Sequence, residues 1–517
     1  MGASLLTLFL LVIAAAWLAA RTIFPDAVVW CLAGFIAAFV PRFPSFHFDP
    51  QLALFLFLPP LVYAAAVDLP WPEFRDNLRP IGVLAIGLVL ATAGAIAAFA
   101  HLAVGLNWSI ALILGAIVSP TDPVAATAVA LRGGMPRRLT AILEGEGLVN
   151  DAVSLTIFRL AVGAAILGRF SWGTNIGKFV LILVGEPAYG VLLGFAIAAL
   201  RRKIADPRLE VALSLLTPFA AYLLPVSLGG SGILATVATG MYIGERRSTL
   251  VSAGTRLHAT SFWQMMVFLL NGVLFVVAGI ELKLLMMQAA SSSALRFGLE
   301  IAAAVILLRF LWCFASWYLL RLSQRLFGRE RHAMSFKHLV IVAWSGIRGP
   351  ISLAAAMAIP AFLGAGSSSG YGDAVSVTAV VVVATLFVQG LSLPYLVRVL
   401  KVREETNREH RQMEKEEELG SREATRAALR RLSELEASGD LTNALSGRVR
   451  RYYKHRVGLA SAVASDGAIH ARFKHALAEL LDAERLRIQQ LRNQRRISDH
   501  VVQRLEHRLD LRQSLLD

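Results

Sequence analysis

Two short polar passages interrupt the long apolar runs of this sequence: S-P-T-D-P at residues 119–123 and E-G-E-G-L-V-N-D-A-V-S at residues 144–154. They place three carboxylates, those of Asp122, Glu146 and Asp151, in segments that otherwise consist mostly of hydrocarbon side chains. An ionisable side chain near the centre of a bilayer costs roughly 2.5–3.5 kcal/mol even on the lenient insertion scale. We therefore interpret these passages as a functional site and the apolar segments as its scaffold.

The composition places the two passages in a membrane. The chain has 517 residues, of which 56% are hydrophobic and 17% charged, and its mean hydropathy is +0.59. Apolar segments of about 18 or more residues recur from residue 4 to residue 400, which is typical of a polytopic α-helical membrane protein. The net charge of +15 arises in short loops and in the C-terminal tail. This distribution indicates membrane topology and excludes a nucleic-acid-binding groove.

The apolar pattern predicts about thirteen membrane-spanning helices. The predicted spans cover roughly 4–20, 27–40, 51–67, 80–104, 108–130, 139–165, 177–200, 209–225, 229–244, 262–282, 297–320, 338–360 and 374–400. Eighteen Lys and Arg residues lie in loops that follow odd-numbered spans, and five lie in loops that follow even-numbered spans. This positive-inside bias predicts an external N-terminus and a cytoplasmic C-terminus.

Two predicted spans contain helix breakers near their centres. Pro120 and Pro123 bracket Asp122 in span five, and W-S-G-I-R-G-P at 344–350 places Arg348 at a similar depth in span twelve. Proline removes a backbone donor and clashes with the preceding turn, so both helices should be interrupted. At this depth an interruption is tolerated only where the backbone lines a cavity or coordinates an ion. Broken spans in corresponding halves of the chain indicate two inverted repeats around a midplane site.

The second passage predicts the exchangeable site. A helix over 139–165 aligns Glu146, Asn150 and Ser154 on one stripe, with Asp151 beside it. Asp151 lies about 18 Å along this helix, near the midplane. Desolvation there disfavours the ionised carboxylate, whereas a bound cation stabilises it. We predict that Asp151 alternately holds a proton and a cation.

The remaining polar residues of the spans have predicted supporting roles. Asp122 is predicted to be a second oxygen ligand, together with Thr121, because hard cations prefer carboxylate and carbonyl oxygens. Its alternative role is to cap the N-terminus of a half-helix. Glu146 and Arg348, opposite charges at similar depth, are predicted to form a buried structural ion pair. Glu186 is a further buried acid whose role the sequence leaves open.

The composition changes sharply after Lys401. Residues 402–517 are charge-rich and contain helical patches, which predicts a cytoplasmic helical domain distinct from the transmembrane domain of residues 1–401. Regulatory or dimer-supporting helices are the simpler interpretation of this tail. A ligand-binding module is the alternative.

At these residues the chain resembles the sodium/proton exchanger family, the electroneutral monovalent cation:proton antiporters. The matching passages occur in the family's order. They are F-L-P-P-L-V-Y (57–63), S-P-T-D-P-V-A (119–125), E-G-E-G-L-V-N-D-A (144–152), S-G-I-L-A (231–235), F-W-Q-M-M-V-F-L-L-N (262–271) and W-S-G-I-R-G-P-I-S-L-A (344–354).

The resemblance implies a thirteen-helix fold of two inverted six-helix repeats plus one helix, in which spans five and twelve unwind and cross. It also implies a homodimer that works by alternating access. By the same resemblance Asp151 binds cation or proton, Asp122 is the acid of the span-five motif, and Asn150 marks the electroneutral branch. The family's glutamate–arginine pair falls on Glu146 and Arg348.

Three positions depart from the family pattern. Ala64 stands where an acid usually follows the aromatic residue of the L-P-P motif, and Gly147 stands where many members have Ser. Gln264 replaces the acid that commonly follows F-W. The first two departures bear on the coordination shell of the ion.

The expected function is secondary antiport and not an enzymatic reaction. Na⁺, with Li⁺ and K⁺ as further candidates, would exchange for H⁺ across a bacterial-type inner membrane, and Asp151 and Asp122 would bind the Na⁺. No ATP-binding signature is present, and no cofactor is expected. The expected partners are the transported ions, the lipid bilayer and a second copy of the chain, and no nucleic acid is among them. A cation channel and a degenerate, non-transporting sensor are the two alternatives.

Overall fold

Helices account for all the regular secondary structure in the described part of this computed structural model. The described residues are 2–22, 24–40, 50–123, 135–167, 172–204, 206–250, 253–288, 292–327, 334–359, 370–402, 411, 429, 430, 432–434 and 437. Contacts divide the chain into two units, Met1–Thr406 and Asn407–Asp517. Most of the predicted tail lies outside the described residues, so the domain boundary at 401 stays a prediction.

The first unit contains a series of α-helices with two π-helical segments. In chain order the elements are α1 (Gly2–Ala19), α2 (Asp26–Ala37), α3 (Pro50–Asp68), α4 (Trp71–Asp76), α5 (Leu78–Gly82), a π-helix (Val83–Leu88), α6 (Val89–Val104), α7 (Trp108–Val118), α8 (Arg137–Leu167), α9 (Trp172–Arg201), α10 (Pro207–Ser227), α11 (Ile233–Glu245), α12 (Arg247–Leu250), α13 (Ala253–Gln288), α14 (Ser292–Phe327), α15 (Phe336–Trp344), α16 (Pro350–Met357), α17 (Gly370–Thr385), a second π-helix (Leu386–Gly390) and α18 (Leu391–Val399).

Seven helices of the described residues are long and apolar enough to cross a membrane. They are Leu78–Val104, Arg137–Leu167, Asn175–Arg201, Pro207–Ser227, His258–Lys283, Leu295–Leu322 and Ala374–Val399. Shorter apolar helices are Leu6–Ala19, Asp26–Ala37, Leu54–Asp68 and Trp108–Val118. The predicted all-helical, multi-span class is confirmed. The count of thirteen and the inverted repeats stay predictions.

Both predicted breaks coincide with the end of a helix, and the remainder of predicted span five, residues 124–130, lies outside the described residues. Helix α7 ends at Val118, and residues 119–123 are not helical. Residues 345–349 separate α15 from α16, which begins at Pro350. Proline is favoured at the first position of a helix because its missing N–H would have no helical partner there and its φ is already helical. The breaks therefore coincide with the helix breakers of the sequence.

Glycine lets two helices of the bundle pack with their backbones in contact. Helices α2 and α13 lie against each other, and a methyl group built on Gly279 would lie 2.0 Å from the Cys31 carbonyl oxygen. The same holds in the opposite direction for Gly34 and the Val276 carbonyl oxygen, also at 2.0 Å. Small residues permit such close approach where the hydrophobic effect does not drive helices together.

We expect Gly279→Ala to lower the stability of the protein because its methyl group must displace backbone. Overpacking of this kind costs about 1–3 kcal/mol. Thermal unfolding in detergent measures the effect, and Gly94→Ala is the matched control because a methyl group there meets no neighbouring atom. Equal midpoints for the two variants would contradict the close packing of α2 on α13.

Candidate functional site

The two interrupted segments meet and satisfy each other's backbone. The Asp122 N–H donates a hydrogen bond of 2.8 Å to the Ile347 carbonyl. The side chain of Asp122 lies directly against Gly349, where an added methyl group would come within 2.3 Å of Asp122 Oδ2. An unsatisfied backbone group in hydrocarbon costs several kcal/mol. Each break therefore supplies a partner that the other one needs.

Arg348 holds the end of the first broken helix. Its Nε donates to the Val118 carbonyl at 2.9 Å and its Nη2 to the Ser119 carbonyl at 3.4 Å, while Nη1 donates to the Gly346 carbonyl. Its backbone N–H donates to Thr385 Oγ1 at 3.1 Å. The last carbonyls of a helix have no helical partner and carry partial negative charge. The guanidinium satisfies them, and Arg348 is 2% exposed.

Glu146 is paired with Arg309 and not with Arg348, so the predicted Glu146–Arg348 pair is wrong. Arg309 Nη2 donates to Glu146 Oε2 at 2.8 Å, and Nη1 contacts Oε1. The Thr121 hydroxyl also donates to Oε1, at 2.9 Å, and Arg309 Nε donates to the Val342 carbonyl at 3.1 Å. The planar fork of a guanidinium fits a carboxylate with two parallel bonds. Arg348 is not available to pair with Glu146, because its guanidinium already donates to backbone carbonyls of the two breaks.

Arg309 is the site residue that the sequence interpretation missed. It lies in the apolar run I-L-L-R-F-L-W at 306–312 and is 1% exposed. An arginine in the middle of a spanning helix is costly and is itself a signal of a buried partner. The signal was therefore present in the sequence, although it does not say which acid is the partner.

Asn150 and Ser154 tie the long helix α8 to the first break. Asn150 Nδ2 donates to the Thr121 carbonyl at 3.1 Å and to Thr121 Oγ1 at 2.9 Å. The Ser154 hydroxyl donates to the Ala116 carbonyl at 2.9 Å. Asn150 Oδ1 is buried and has no hydrogen-bond partner in the described part of the chain. The predicted stripe of α8 therefore faces the broken helix and leaves one amide oxygen available to a ligand.

Asp151 and Asp122 lie close enough for the charge of one to act on the other. Both side chains are half-buried. Gly147 brings α8 directly against the break, because a methyl group there would lie 2.6 Å from Cδ and Cγ of Pro123. The departure at Gly147 thus fits its surroundings: a serine at this position would have to displace the proline ring.

Glu186 caps a helix. Its carboxylate accepts hydrogen bonds from the Ser231 hydroxyl at 2.9 Å, the Gly232 N–H at 2.8 Å and the Leu234 N–H at 3.2 Å. These donors belong to the N-terminus of α11, where backbone N–H groups lack helical partners and an anion is favoured. Arg159 donates to the Gly230 carbonyl beside them. The buried acid that the sequence left open therefore has a structural role.

Comparisons with known proteins agree on one family. The family model described as sodium/hydrogen exchanger, transmembrane, matches residues 6–399. An uncharacterized Na⁺/H⁺ exchanger of Mycobacterium tuberculosis is 33% identical over 95% of this chain and 92% of its own length. A sodium, potassium, lithium and rubidium/H⁺ antiporter of Bacillus subtilis is 32% identical over 72% of this chain and 58% of its own length. The solved sodium proton antiporter MjNhaP1 of Methanocaldococcus jannaschii has a similar fold, with a TM-score of 0.60 at 19% identity over 77% of this chain and 98% of that one.

We expect a double-mutant cycle to find strong coupling between Glu146 and Arg309 and little between Glu146 and Arg348. Removing one partner of a buried pair costs about 3–5 kcal/mol, because the other charge is left uncompensated. Arg309→Met should therefore destabilise the protein strongly, and Glu146→Gln should offset part of that loss. Unfolding in detergent measures each variant.

Arg296→Met is the matched control on the same helix. Arg296 pairs with Glu300 at 2.9 Å, but its side chain is 84% exposed, so its loss should change stability little. Stronger coupling of Glu146 to Arg348 than to Arg309 would contradict the observed pairing.

Proposed function

This chain belongs to the sodium/hydrogen exchanger family, and on that premise we propose that it exchanges a monovalent cation for protons across a membrane, with Asp151 as the shared site. Na⁺ is the first candidate, and Li⁺ and K⁺ are the next, because the names of its relatives include sodium, potassium and lithium. The observation that carries the proposal is the contact of α8 with the first break: Gly147 lies against Pro123, so Asp151, one turn further along α8, lies next to the break that carries Asp122.

The charges at the crossing support an exchange of one ion for another of equal charge. Three carboxylates lie there, those of Glu146, Asp151 and Asp122. Two guanidinium groups accompany them, those of Arg309 and Arg348. Counted over these described groups, the net charge is one negative charge, which a single monovalent ion can neutralise. A proton or a Na⁺ can do so, but both together would leave an excess positive charge in a low-dielectric site. Competition for one charge is what electroneutral exchange requires.

The oxygen atoms around Asp151 suit a hard monovalent cation. Asp151 and Asp122 supply the charge, and the open Oδ1 of Asn150 supplies a neutral ligand. The hydroxyls of Thr121 and Ser154 donate to Glu146 and to the Ala116 carbonyl, so we assign them to holding the break in place. They retain lone pairs that can face the same ion.

Alternating access follows if the crossing is exposed to one side at a time. Na⁺ enters from one side and displaces the proton from Asp151. After the site has become open to the other side, a proton displaces Na⁺ there. We place the N-terminus outside and the C-terminus in the cytoplasm of an inner membrane, in keeping with the eighteen-to-five distribution of basic loop residues. A homodimer, as the resemblance implies, would provide the fixed frame.

We expect Asp151→Asn to abolish exchange while the protein stays folded, because an amide carries no negative charge for H⁺ and Na⁺ to neutralise in turn. Proteoliposomes with a pH-sensitive dye inside measure the flux. Asp76→Asn, which changes an exposed acid on α4, is the matched control and should exchange at the normal rate. Full activity of the Asp151 variant would exclude the proposed site.

The same proteoliposomes identify the cation and the stoichiometry. Na⁺, Li⁺ and K⁺ are added in turn, with the membrane potential clamped and unclamped. We expect at least one cation to drive proton movement at a rate that the clamp leaves unchanged. A cation flux that does not depend on the pH gradient would indicate a cation channel. Absence of proton movement with all three cations, measured on folded protein, would indicate a non-transporting sensor.

A further inference from the structure

A polar cavity lies apart from the helix crossing, among the ends of other helices. It has a volume of about 50 Å³ open to water-sized molecules. Its lining comes from α3, α9, α10, α11, α12 and α13, and includes Tyr63, Arg201, Glu210, Ser214 and Trp263. None of these helices carries Asp122 or Asp151. The cavity is therefore separate from Asp122 and Asp151, and its occupancy by a ligand does not depend on the proposed antiport. Ala64, which the sequence connected with the coordination shell of the ion, lines this cavity and not the helix crossing.

Two opposite charges line this cavity without pairing with each other. Arg201 is 6% exposed and Glu210 is 5% exposed, and no ion pair joins these two described residues. Arg201 Nε and Glu210 Oε1 have no hydrogen-bond partner in the described part of the chain. A buried charge without a partner costs several kcal/mol. Because both side chains line the cavity, its wall carries one positive and one negative charge that do not neutralise each other directly.

The other polar groups of the lining already have partners. Trp263 Nε1 donates to Ser214 Oγ at 2.8 Å, and Arg201 Nη2 donates to the Tyr63 hydroxyl at 3.5 Å. At the rim, Arg247 pairs with Asp68 at 3.5 Å. These bonds hold the walls in place, and no ion pair of the described residues involves Arg201 or Glu210. A bound molecule that satisfies both charges would accept from Arg201 and donate to Glu210.

We propose that the cavity binds a small zwitterion that carries a primary ammonium group and an oxyanion. The ammonium would donate to Glu210, and the oxyanion would accept from Arg201. Charge-assisted bonds of this kind are roughly twice as strong as neutral ones, so such a guest outcompetes water. One ordered water needs about 10–15 Å³, so the space suits roughly four waters or a guest of about five non-hydrogen atoms. A free amino acid of the size of glycine has this chemistry and fits the space. The phosphoethanolamine headgroup of a lipid shares the chemistry, but it is larger and would enter only in part.

Binding of radiolabelled glycine to the purified full-length protein in detergent tests the proposal. We expect saturable binding that weakens about tenfold or more in Arg201→Gln and in Glu210→Gln, since each removes a charge-assisted bond. Arg202→Gln and Glu245→Gln change exposed neighbours and should leave the affinity unchanged. N,N,N-trimethylglycine should compete poorly, because it has no N–H to donate to Glu210.

A third variant keeps the test valid if the charge variants fail to fold. Ala64 lines the cavity and is 7% exposed, so Ala64→Met fills the space without removing either charge. We expect this variant to lose glycine binding while its thermal unfolding midpoint stays near that of the parent. Normal glycine binding by a folded Ala64→Met variant would overturn the proposal.

Lipid nanodiscs distinguish the two sources of the zwitterion. If the headgroup is the guest, nanodiscs of phosphatidylethanolamine block glycine binding and nanodiscs of phosphatidylcholine do not. If acetate competes with glycine equally well in the parent and in Glu210→Gln, the cavity is an anion site and the proposal is overturned. If methylamine competes with glycine equally well in the parent and in Arg201→Gln, the cavity is a cation site and the proposal is overturned. Absence of glycine binding in nanodiscs of either lipid would overturn the proposal in favour of trapped water.

Discussion

The crossing of two interrupted helices depends on the cost of unsatisfied backbone in a membrane. Residues 119–123 and 345–349 leave N–H and C=O groups without helical partners at a depth where lipid offers none. The bond from Asp122 N–H to the Ile347 carbonyl and the guanidinium of Arg348 on the carbonyls of α7 satisfy those groups locally. Neither break would be tolerated alone. The acids of the site are consequently held by backbone and not by a flexible loop.

Charge is distributed at the crossing so that the Glu146–Arg309 pair is separate from the carboxylates of Asp151 and Asp122. Arg309 neutralises Glu146 with two parallel bonds. Thr121 links this pair to Asn150, which lies one turn after Glu146 on α8. The pair ties α8 to α14 in the bundle interior. Because Glu146 has its own counter-ion, the exchange that we propose at Asp151 would not have to disturb the packing around Glu146. The polar cavity at Arg201 and Glu210 differs in this respect, since its two charges do not neutralise each other directly.

Close packing sets how near the long helix can approach the break. Gly147 has the ring of Pro123 against it, and Gly349 has the carboxylate of Asp122 against it. Both contacts leave no room for a methyl group. The packing around the acids therefore depends on these two glycines as much as on the polar side chains. Gly147 departs from the family pattern, but the ring of Pro123 leaves no room for a larger residue there.

The sequence by itself determined the helical membrane class, both interruptions and the polar stripe of α8. These features depend on local chemistry: proline stops a helix wherever it falls, and the 3.6-residue period places Glu146, Asn150 and Ser154 on one face. Only the tertiary structure decided which arginine pairs with Glu146, because Arg309 and Arg348 both lie within spans and the choice depends on the rotation of α14 and on the carbonyls that occupy Arg348. The capping role of Glu186 and the unpaired charges of Arg201 and Glu210 were likewise decided by packing between helices distant in sequence, which no local pattern encodes.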